Sequence, residues 1–408
     1  ILRKFPNEND KEFNSSLDLL KSYLLETYKL DRRILGTRKK KITKENIIID
    51  RNGIKFVDFE LNGVNQIISK LENFRIKKSI QINKNENPVE YKDWQDFFKN
   101  LLIKIQYRDF STNFFKNISL ELNEEDKLSL SNLKDLFDNS SKDHSYLKKL
   151  DDIIYNSQNS EKFIIFCSSF DVVNFLFSHM EKTFPDKNPI LAKRNNESFE
   201  NNPFHEFQNK EEIKIIICDQ HSEEGINLQG IDRSIIHFDL PFDPNRIEQR
   251  IGRVDRYGNS NFKIYALRNL DNIYEKRWSD FLDNTLKIFT SSTASLQILL
   301  ERGINNLFNK FFEEGIDSFD NLNERFKGEE GEIQKEVRRI DHQDQLNSMM
   351  FSKDKKISKL IDFDDNYLEM RNSILEWICD TLLLNTDDDS VKYIVSKNSE
   401  FNTVDEIF

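Results

Sequence analysis

The sequence predicts an α/β protein in which a parallel sheet is flanked by mainly helical segments before and after it. Between about residues 151 and 270, short apolar runs rich in Ile and Phe alternate with amphipathic stretches at helical spacing. Uninterrupted apolar runs are typical of parallel strands buried on both faces, and their alternation with helices indicates βα units. Outside that zone the apolar residues follow the helical period. The strands are expected in KFIIFC (162–167), KIIICD (214–219), SIIHFDL (234–240) and FKIYAL (262–267).

The change of period divides the chain into three segments. A chain of 408 residues has room for two or three domains. We expect 1–150 to be a mainly helical linker or insertion region, 151–270 to be the sheet lobe, and 271–408 to be a helical C-terminal region. A short hairpin is expected at 47–61, where Asn52 and Gly53 suit the turn.

Composition limits the classes of site and partner. The formal net charge of -11 argues against broad coating of nucleic acid, but it is compatible with a narrow basic cleft. The three cysteines and six histidines show no ligand spacing, so no metal site is predicted. Widely separated cysteines are typical of reduced thiols in the cytoplasm. No apolar run reaches the roughly 18 residues expected of a membrane span.

Positive charge is concentrated in RIEQRIGRVDRYG (246–258), where four arginines fall within eleven positions. Asp243 and Pro244 suit the N-cap and the first position of a helix, and Gly258 suits its end. The residues predicted to anchor this helix on the sheet are Ile247, Ile251 and Val254.

Gln249, Arg253 and Arg256 would share another face of the same helix. Because like charges repel at this spacing, the pattern indicates that anions lie opposite the arginines. Those anions are either phosphate groups of a ligand or carboxylates of this chain. Glu248, Asp255 and other acids would give an ordinary solvated face of ion pairs, and the residues alone leave both interpretations open.

The stretch 218–258 closely resembles motifs V and VI of superfamily-two helicases and translocases, and especially the Swi/Snf-type ATPases of the bacterial HepA/RapA-like group. EGINLQ matches the core of motif V, and QRIGRVDR matches motif VI. FIIFCSSFDVV (163–173) resembles motif IV, and LDRRILGTRKKK (30–41) is similar to a basic segment that joins the two lobes in this group. The resemblance implies that 151–270 is a RecA-like C-terminal helicase lobe.

The resemblance also implies a shared ATP site. Arg253 and Arg256 match the two motif VI arginines that reach the γ-phosphate of ATP, which is bound with Mg²⁺ mainly on a first lobe. A planar, permanently charged guanidinium suits the spread negative charge of phosphoryl transfer. Gln249 matches the motif VI position near the nucleotide. Gly225 and Asn227 match motif V positions that link the nucleotide site to the nucleic-acid backbone.

Polar residues at the strand ends are the expected contacts with double-stranded DNA. Parallel sheets build their sites at the carboxyl ends of the strands. The resemblance implies that Ser168 and Ser169 contact phosphates through hydroxyl and main-chain N–H groups. Arg38 and Lys39 lie in a basic run that fits either salt-dependent phosphate contacts or a solvated helix end. The predicted strand ends are Ser168, Ser169, Asp219 and Asp239.

Two departures from the family pattern affect the function. Asp219 stands where motif V usually opens with Ser or Thr, and Glu223 and Glu224 add charge that is either solvated or paired with the arginines. The sequence also lacks a GxxxxGK[ST] motif and a DEAH-like box. The first lobe is therefore expected elsewhere in the same full-length protein or on a partner chain. Because the chain starts with Ile1, we expect a C-terminal portion of a longer enzyme that is inactive alone.

The resemblance implies an ATP-dependent translocase on double-stranded DNA, in the bacterial cytoplasm and at the nucleoid when bound to DNA. Anti-phage defence or DNA processing is the expected setting, with other defence or processing proteins as partners and no membrane. One alternative is a non-hydrolysing regulatory or scaffolding subunit that supplies its arginines in trans. Others are an RNA-polymerase-associated recycling factor and an RNA helicase.

Overall fold

The structure is a computed structural model in which two compact units are distinguished, one of Arg32–Arg338 and one of Ile1–Asp31 with Arg339–Phe408. Residues 38, 39, 225, 227 and 256, which carry part of the predicted site, lie outside the described residues. The described residues are 51–82, 86–116, 118, 120–192, 203–223, 228–230, 232–255, 262–350, 373, 384–386 and 393–395.

A six-stranded, wholly parallel sheet lies at the centre of the larger unit, in the strand order β1-β6-β5-β2-β4-β3. This arrangement confirms the predicted α/β class, and the four expected strands are β2, β4, β5 and β6. The strands are β1 (Lys55–Phe59), β2 (Lys162–Phe166), β3 (Ile190–Ala192), β4 (Ile215–Cys218), β5 (Arg233–His237) and β6 (Phe262–Asn269).

The central strands β2, β4 and β5 are buried along their whole length. Their continuous Ile and Phe runs suit this position because helices cover both faces of a parallel sheet. Phe166, the last residue of β2, is level with Cys218 of β4 and His237 of β5. The residues that follow these strands therefore emerge together at one edge of the sheet.

Strand β1 shows how the predicted first segment contributes to the sheet. Of the expected hairpin, residues 47–50 lie outside the described residues, while Gly53 has a positive φ of 82° that suits a turn. The segment expected as the second arm forms β1, which pairs in parallel with β6 from Lys55 opposite Tyr265 onward, and the hairpin itself stays a prediction. Residues 32–338 thus form one unit across the proposed boundaries at 150 and 270, and the three-segment division stays a prediction.

Helices cover the sheet and extend beyond it. No described helix is both long enough and apolar enough to cross a membrane. The helices are α1 (Val64–Gln81), α2 (Pro88–Gln106), α3 (Glu124–Ser140), α4 (Ser145–Tyr155), α5 (Phe170–Thr183), α6 (Pro203–Asn209), α7 (Pro244–Gly252), α8 (Ile273–Asp280), α9 (Gln297–Glu314), α10 (Asp317–Phe326) and α11 (Glu332–Met350).

Helices from both flanking segments pack against each other through aromatic side chains. Phe98 of α2 stacks on Phe312 of α9 with ring centroids 5.7 Å apart, and Tyr91 meets the same ring edge-on. Trp94 is fully buried beside Phe98. Aromatic pairs of this geometry contribute stabilisation beyond that of the surface area that they bury. The helical layer therefore combines residues that are about 200 positions apart in the chain.

The smaller unit contains a short antiparallel pair, β7 (Leu384–Thr386) and β8 (Tyr393–Val395), with Leu384 opposite Val395. This pair departs from the helical expectation for 271–408. Its aromatic and β-branched residues suit strands, and the segment is too short for the helical period to be decisive.

Candidate functional site

Helix α7 begins where the sequence predicts. The Asp243 side chain accepts a hydrogen bond from the Asn245 N–H at 2.9 Å, and Pro244 occupies the first turn. The predicted anchoring face is also confirmed, because its three apolar residues are fully buried. Those residues are Ile247, Ile251 and Val254, each 0% exposed.

The end of α7 differs from the prediction. The helix stops at Gly252 rather than at Gly258, and Arg253 is its C-cap. The Leu228 N–H donates to the Arg253 carbonyl at 3.1 Å, and the Asp255 N–H donates to the Ile251 carbonyl at 2.9 Å. Gly has low helix propensity, and the bond from Leu228 draws the chain into a turn. Gln249 therefore lies within the helix and Arg253 at its C-cap, while Arg256, which was expected on the same face, lies outside the described residues.

Arg250 is a structural residue enclosed in the fold. Its side chain is 0% exposed. Its Nε donates to Glu223 at 2.8 Å, its Nη1 to the Asp239 carbonyl at 2.8 Å, and its Nη2 to Ser168 Oγ at 2.8 Å. The Nη2 atom also lies 3.2 Å from the Asp239 carboxylate. These acceptors compensate for the cost of burying the charge.

Glu223 lies opposite three of the arginines. Its carboxylate is 2.7 Å from Arg246 Nη2 and 2.8 Å from Arg250 Nε, and its carbonyl accepts from Arg253 Nε at 2.6 Å. The side chain of Glu223 is 3% exposed. The anions opposite Arg246 and Arg250 are thus carboxylates of this chain, which was one of the two interpretations that the sequence left open. Glu248 and Asp255, which the sequence also offered as partners of these arginines, instead pair with Arg51.

Ser168 and Ser169 follow the end of β2 by two and three residues, and their hydroxyls are bound inside the protein. The Ser168 N–H and Oγ both donate to the Asp239 carboxylate at 2.6 Å, and Ser168 Oγ accepts from Arg246 Nη2 at 3.1 Å. Ser169 Oγ lies 3.2 Å from the Asp109 carboxylate. A phosphate contact through either hydroxyl would have to compete with these bonds.

Asp219 has a local structural role that accounts for an acid at this position. Its Oδ1 accepts from the Ser222 N–H at 2.9 Å and from the Ser222 Oγ at 2.7 Å, and Asp219 is 7% exposed. This pattern is that of a helix N-cap, in which the side chain accepts the N–H three residues on. It shapes the one-turn segment Gln220–Glu223, which delivers Glu223 to the arginines.

Residues 106–109, which follow α2, cross the same edge of the sheet and were missed by the sequence reasoning. Gln106 Nε2 donates to the Leu240 carbonyl at 2.8 Å, and the Tyr107 hydroxyl accepts from Arg246 Nη1 at 2.9 Å. Burial raises the pKa of Tyr107, although Arg246 opposes the shift. No motif marks this segment, because its partners follow strands far along the chain.

Arg108 anchors this segment in the core. Its Nη2 donates to the Leu267 carbonyl at 3.0 Å and to the Glu275 carboxylate at 2.6 Å, and its Nη1 donates to the Phe238 carbonyl. Burial raises the pKa of Glu275 to about 7, although the charge of Arg108 lowers it. The side chains of this pair are each 1% exposed. Their role is structural.

Gln249 and Arg253 are part-exposed in the motif at α7, as is Arg246. Arg253 is held at Nε by the Glu223 carbonyl, while Arg250 is sealed inside. Among the part of the chain that the structure describes, no group of three or more His, Cys, Asp or Glu residues could hold a metal ion. The part-exposed side chains of the described motif thus include guanidinium and amide groups.

Comparisons with known proteins agree with this geometry. Residues 145–258 match the family described as the helicase conserved C-terminal domain. The chain is 26% identical over 198 residues to the RNA polymerase-associated protein RapA of Vibrio campbellii. That alignment spans 46% of this chain but only 19% of the length of the relative.

Two solved structures are similar to the chain at low identity. The C-terminal part of the Fun30 ATPase domain has a TM-score of 0.39 and 16% identity, over 64% of this chain and 99% of that chain. The Hef helicase domain of Pyrococcus furiosus has a TM-score of 0.36 and 17% identity, over 56% of this chain and 57% of that chain.

The parallel sheet, the motif at α7 and the family match give one conclusion. Residues 145–258 are a helicase conserved C-terminal domain with a RecA-like parallel sheet, as the resemblance to superfamily-two helicases of the Swi/Snf type implies.

Proposed function

We propose that this chain is the C-terminal portion of an ATP-dependent translocase that moves along double-stranded DNA, in anti-phage defence or DNA processing. The observation that carries the proposal is the different placement of the arginines. Arg250 is fully buried and pairs with Glu223 within the fold, whereas Arg253 is part-exposed at the end of α7. That division supports one arginine set for structure and another for a ligand.

Arg253 and Arg256 are the proposed catalytic residues. ATP with Mg²⁺, held mainly by a first lobe, supplies the phosphoryl group that is transferred to water. The contribution of this chain is to place fixed positive charge against the γ-phosphate, which is the largest effect that such a site can add. Gln249, Gly225 and Asn227 are proposed to lie near the nucleotide. The chain alone is expected to be inactive.

Nucleic-acid contacts are proposed at the carboxyl edge of the sheet and in the basic run before β1. Because the hydroxyls of Ser168 and Ser169 are bound internally, their contact with phosphate would involve main-chain atoms or a rearranged network. Arg38 and Lys39 would contact phosphates without reading bases, so their effect should weaken with salt. We place the whole protein in the bacterial cytoplasm.

A second candidate is an RNA-polymerase-associated role, which is favoured by the 26% identity to RapA. A regulatory subunit that offers Arg253 in trans would share the same geometry. An RNA helicase would differ in its activating nucleic acid. These candidates are separated by whether double-stranded DNA, RNA or added RNA polymerase stimulates turnover of the full-length protein.

The test is the DNA-stimulated ATPase activity of the full-length protein against its Arg253→Ala and Arg256→Ala variants. Loss of an arginine that completes a phosphoryl-transfer site lowers kcat by about 10³–10⁵-fold. Arg277→Ala is the matched control, because Arg277 is 48% exposed and pairs with Asp320 on the surface. Activity that survives both substitutions would contradict the proposal. Turnover by residues 1–408 alone would contradict the expected inactivity of the fragment.

A further inference from the structure

Arg51 binds helix α7, although its place in the sequence is outside every stretch that resembles a helicase motif. Its Nη1 and Nη2 donate to the two carboxylate oxygens of Glu248 at 3.0 and 2.8 Å. Its Nε donates to the Asp255 carboxylate at 2.7 Å. One guanidinium thus joins a residue within α7 to a residue in the turn after it. The Arg51 side chain is only 3% exposed.

Arg51 also binds main-chain carbonyls of the segment 288–293. Its Nη1 donates to the Ile288 carbonyl at 2.6 Å and lies 3.3 Å from the Ser291 carbonyl. The same segment binds Glu248, which accepts from the Ser292 hydroxyl at 2.7 Å and from the Thr293 N–H at 3.2 Å. Arg51 and Glu248 are therefore bound directly to the segment 288–293, and Asp255 is joined to it through Arg51.

The turn that carries Arg253 is constrained from three directions. The helix holds it through the Asp255 N–H, which donates to the Ile251 carbonyl, and Leu228 holds it through the Arg253 carbonyl. The third constraint is the ion pair between Arg51 and Asp255, whose side chains are 3% and 4% exposed. Arg253 lies two residues before Asp255, so a displacement of this carboxylate would move its backbone.

We propose that Arg51 is a positioning residue that fixes the turn after α7 and so sets the position of Arg253 for phosphoryl transfer. The inference rests on the proposed function, because it assigns Arg253 to the ATP site. The supporting observation is the bridge, in which one planar guanidinium binds Glu248 through two nitrogens and Asp255 through the third. Lysine keeps the charge but has one nitrogen, so it cannot hold both carboxylates in this geometry.

The experiment compares Arg51→Lys with wild type in the full-length protein, by kinetics and by hydrogen exchange. We expect kcat for ATP hydrolysis to fall roughly 10- to 100-fold with little change in the KM for ATP, as for a small misplacement of a catalytic group. We expect the Asp255 and Leu228 amides to exchange about tenfold faster or more, because exchange follows the local opening equilibrium. Asp255→Asn is the second variant, which keeps the side-chain shape and removes the charge.

Arg75→Lys is the matched control. Arg75 is also a buried arginine, pairs with Glu72 at 2.6 Å and donates to the Phe312 carbonyl at 2.9 Å, but it lies between α1 and α9. It should leave kcat and both reporter amides unchanged at equal folded fraction. The effects of Arg51→Lys and Asp255→Asn on log kcat should be less than additive in the double variant, because both remove one bridge.

The outcomes separate the two proposals. Wild-type kcat in Arg51→Lys, or unchanged exchange at Asp255 and Leu228, would overturn the positioning role. An inactive wild-type protein would contradict the proposed motor instead, and the exchange rates would still decide whether Arg51 fixes the turn.

Discussion

The carboxylate of Glu223 lies 2.8 Å from Nε of Arg250, in a place where the two side chains are 3% and 0% exposed. The same carboxylate binds Arg246 at 2.7 Å. It therefore joins the segment after β4 to helix α7 through a buried ion pair. Both arginines belong to the segment that the sequence singles out, and their charge is already compensated within the fold.

Removal of the Glu223 charge should destabilise the lobe. Glu223→Gln leaves Arg250 buried without its main counter-charge, and breaking a buried pair in this way costs about 3–5 kcal/mol. Urea unfolding of the chain measures the change. Glu125→Gln is the control, because Glu125 pairs with Lys77 on the surface, where both side chains are more than half exposed. Equal stability of the Glu223 and Glu125 variants would show that the buried pair is not structural.

The arginines should separate into two classes when they are removed one at a time. Arg250→Ala removes a buried guanidinium that binds both the Glu223 and the Asp239 carboxylate, so we expect a loss of about 3–5 kcal/mol in the free energy of unfolding. Arg253→Ala removes a hydrogen bond to a carbonyl and should cost about 1–2 kcal/mol while abolishing ATPase activity of the full-length protein. Thermal unfolding and turnover, measured on the same samples, test the division. A more severe folding defect in the Arg253 variant would contradict it.

Ser168 gives a test of structural against nucleic-acid roles. Ser168→Ala removes a hydroxyl that donates to Asp239 and accepts from Arg250 and Arg246, and unsatisfied buried partners cost about 1–3 kcal/mol. We expect lower stability and an unchanged affinity for double-stranded DNA at fixed salt. Weaker DNA binding by a variant of full stability would instead support the contact that the family resemblance implies.

The pair between Glu248 and Arg51 should make stability depend on pH in the acid range. Burial alone would raise the pKa of Glu248, but hydrogen bonding and charge from Arg51 outweigh it and place the pKa below the ordinary 4.5. A lowered pKa in the folded state stabilises the protein above pH 4.5, and this contribution is lost as the pH falls through the folded value. The difference in Tm between wild type and Glu248→Gln should therefore narrow between pH 6 and pH 3 (roughly the range in which carboxylates titrate). A constant difference over that range would contradict the assignment.

Much of the fold follows from local pattern. The runs that form β2 and β4 are almost entirely apolar, and β5 is apolar at its centre, which is the pattern of strands buried on both faces. Strand β6 also has an apolar run, but it carries an exposed Lys263. The start of α7 was predictable because Asp243 and Pro244 act within their own turn. The anchoring of Ile247 on the sheet followed from helical spacing alone.

The rest depends on contacts that the local pattern does not encode. The bridge from Arg51 to Glu248 joins residues 197 positions apart, and the bond from Arg246 to Tyr107 spans 139. No spacing rule connects such residues. The early end of α7 has the same origin, because a bond from Leu228 competes with continuation of the helix. Sequence also predicted a phosphate role for the Ser168 hydroxyl, whose position is correct but whose bonds are internal.

Strand β1 pairs with β6, and the ion pair between Asp58 and Arg268 that spans these strands joins residues 210 positions apart. At about 5–20 residues per second, a ribosome needs roughly 10–40 s to make the intervening chain. During that interval β1 has been synthesised but lacks this neighbour, and Arg51 has no α7 to bind. The contacts that hold Arg51 and Glu248 can thus form only after the chain up to Thr293 has been synthesised. Nascent chains that stall before β6 would need a chaperone to protect the edge of the unfinished sheet.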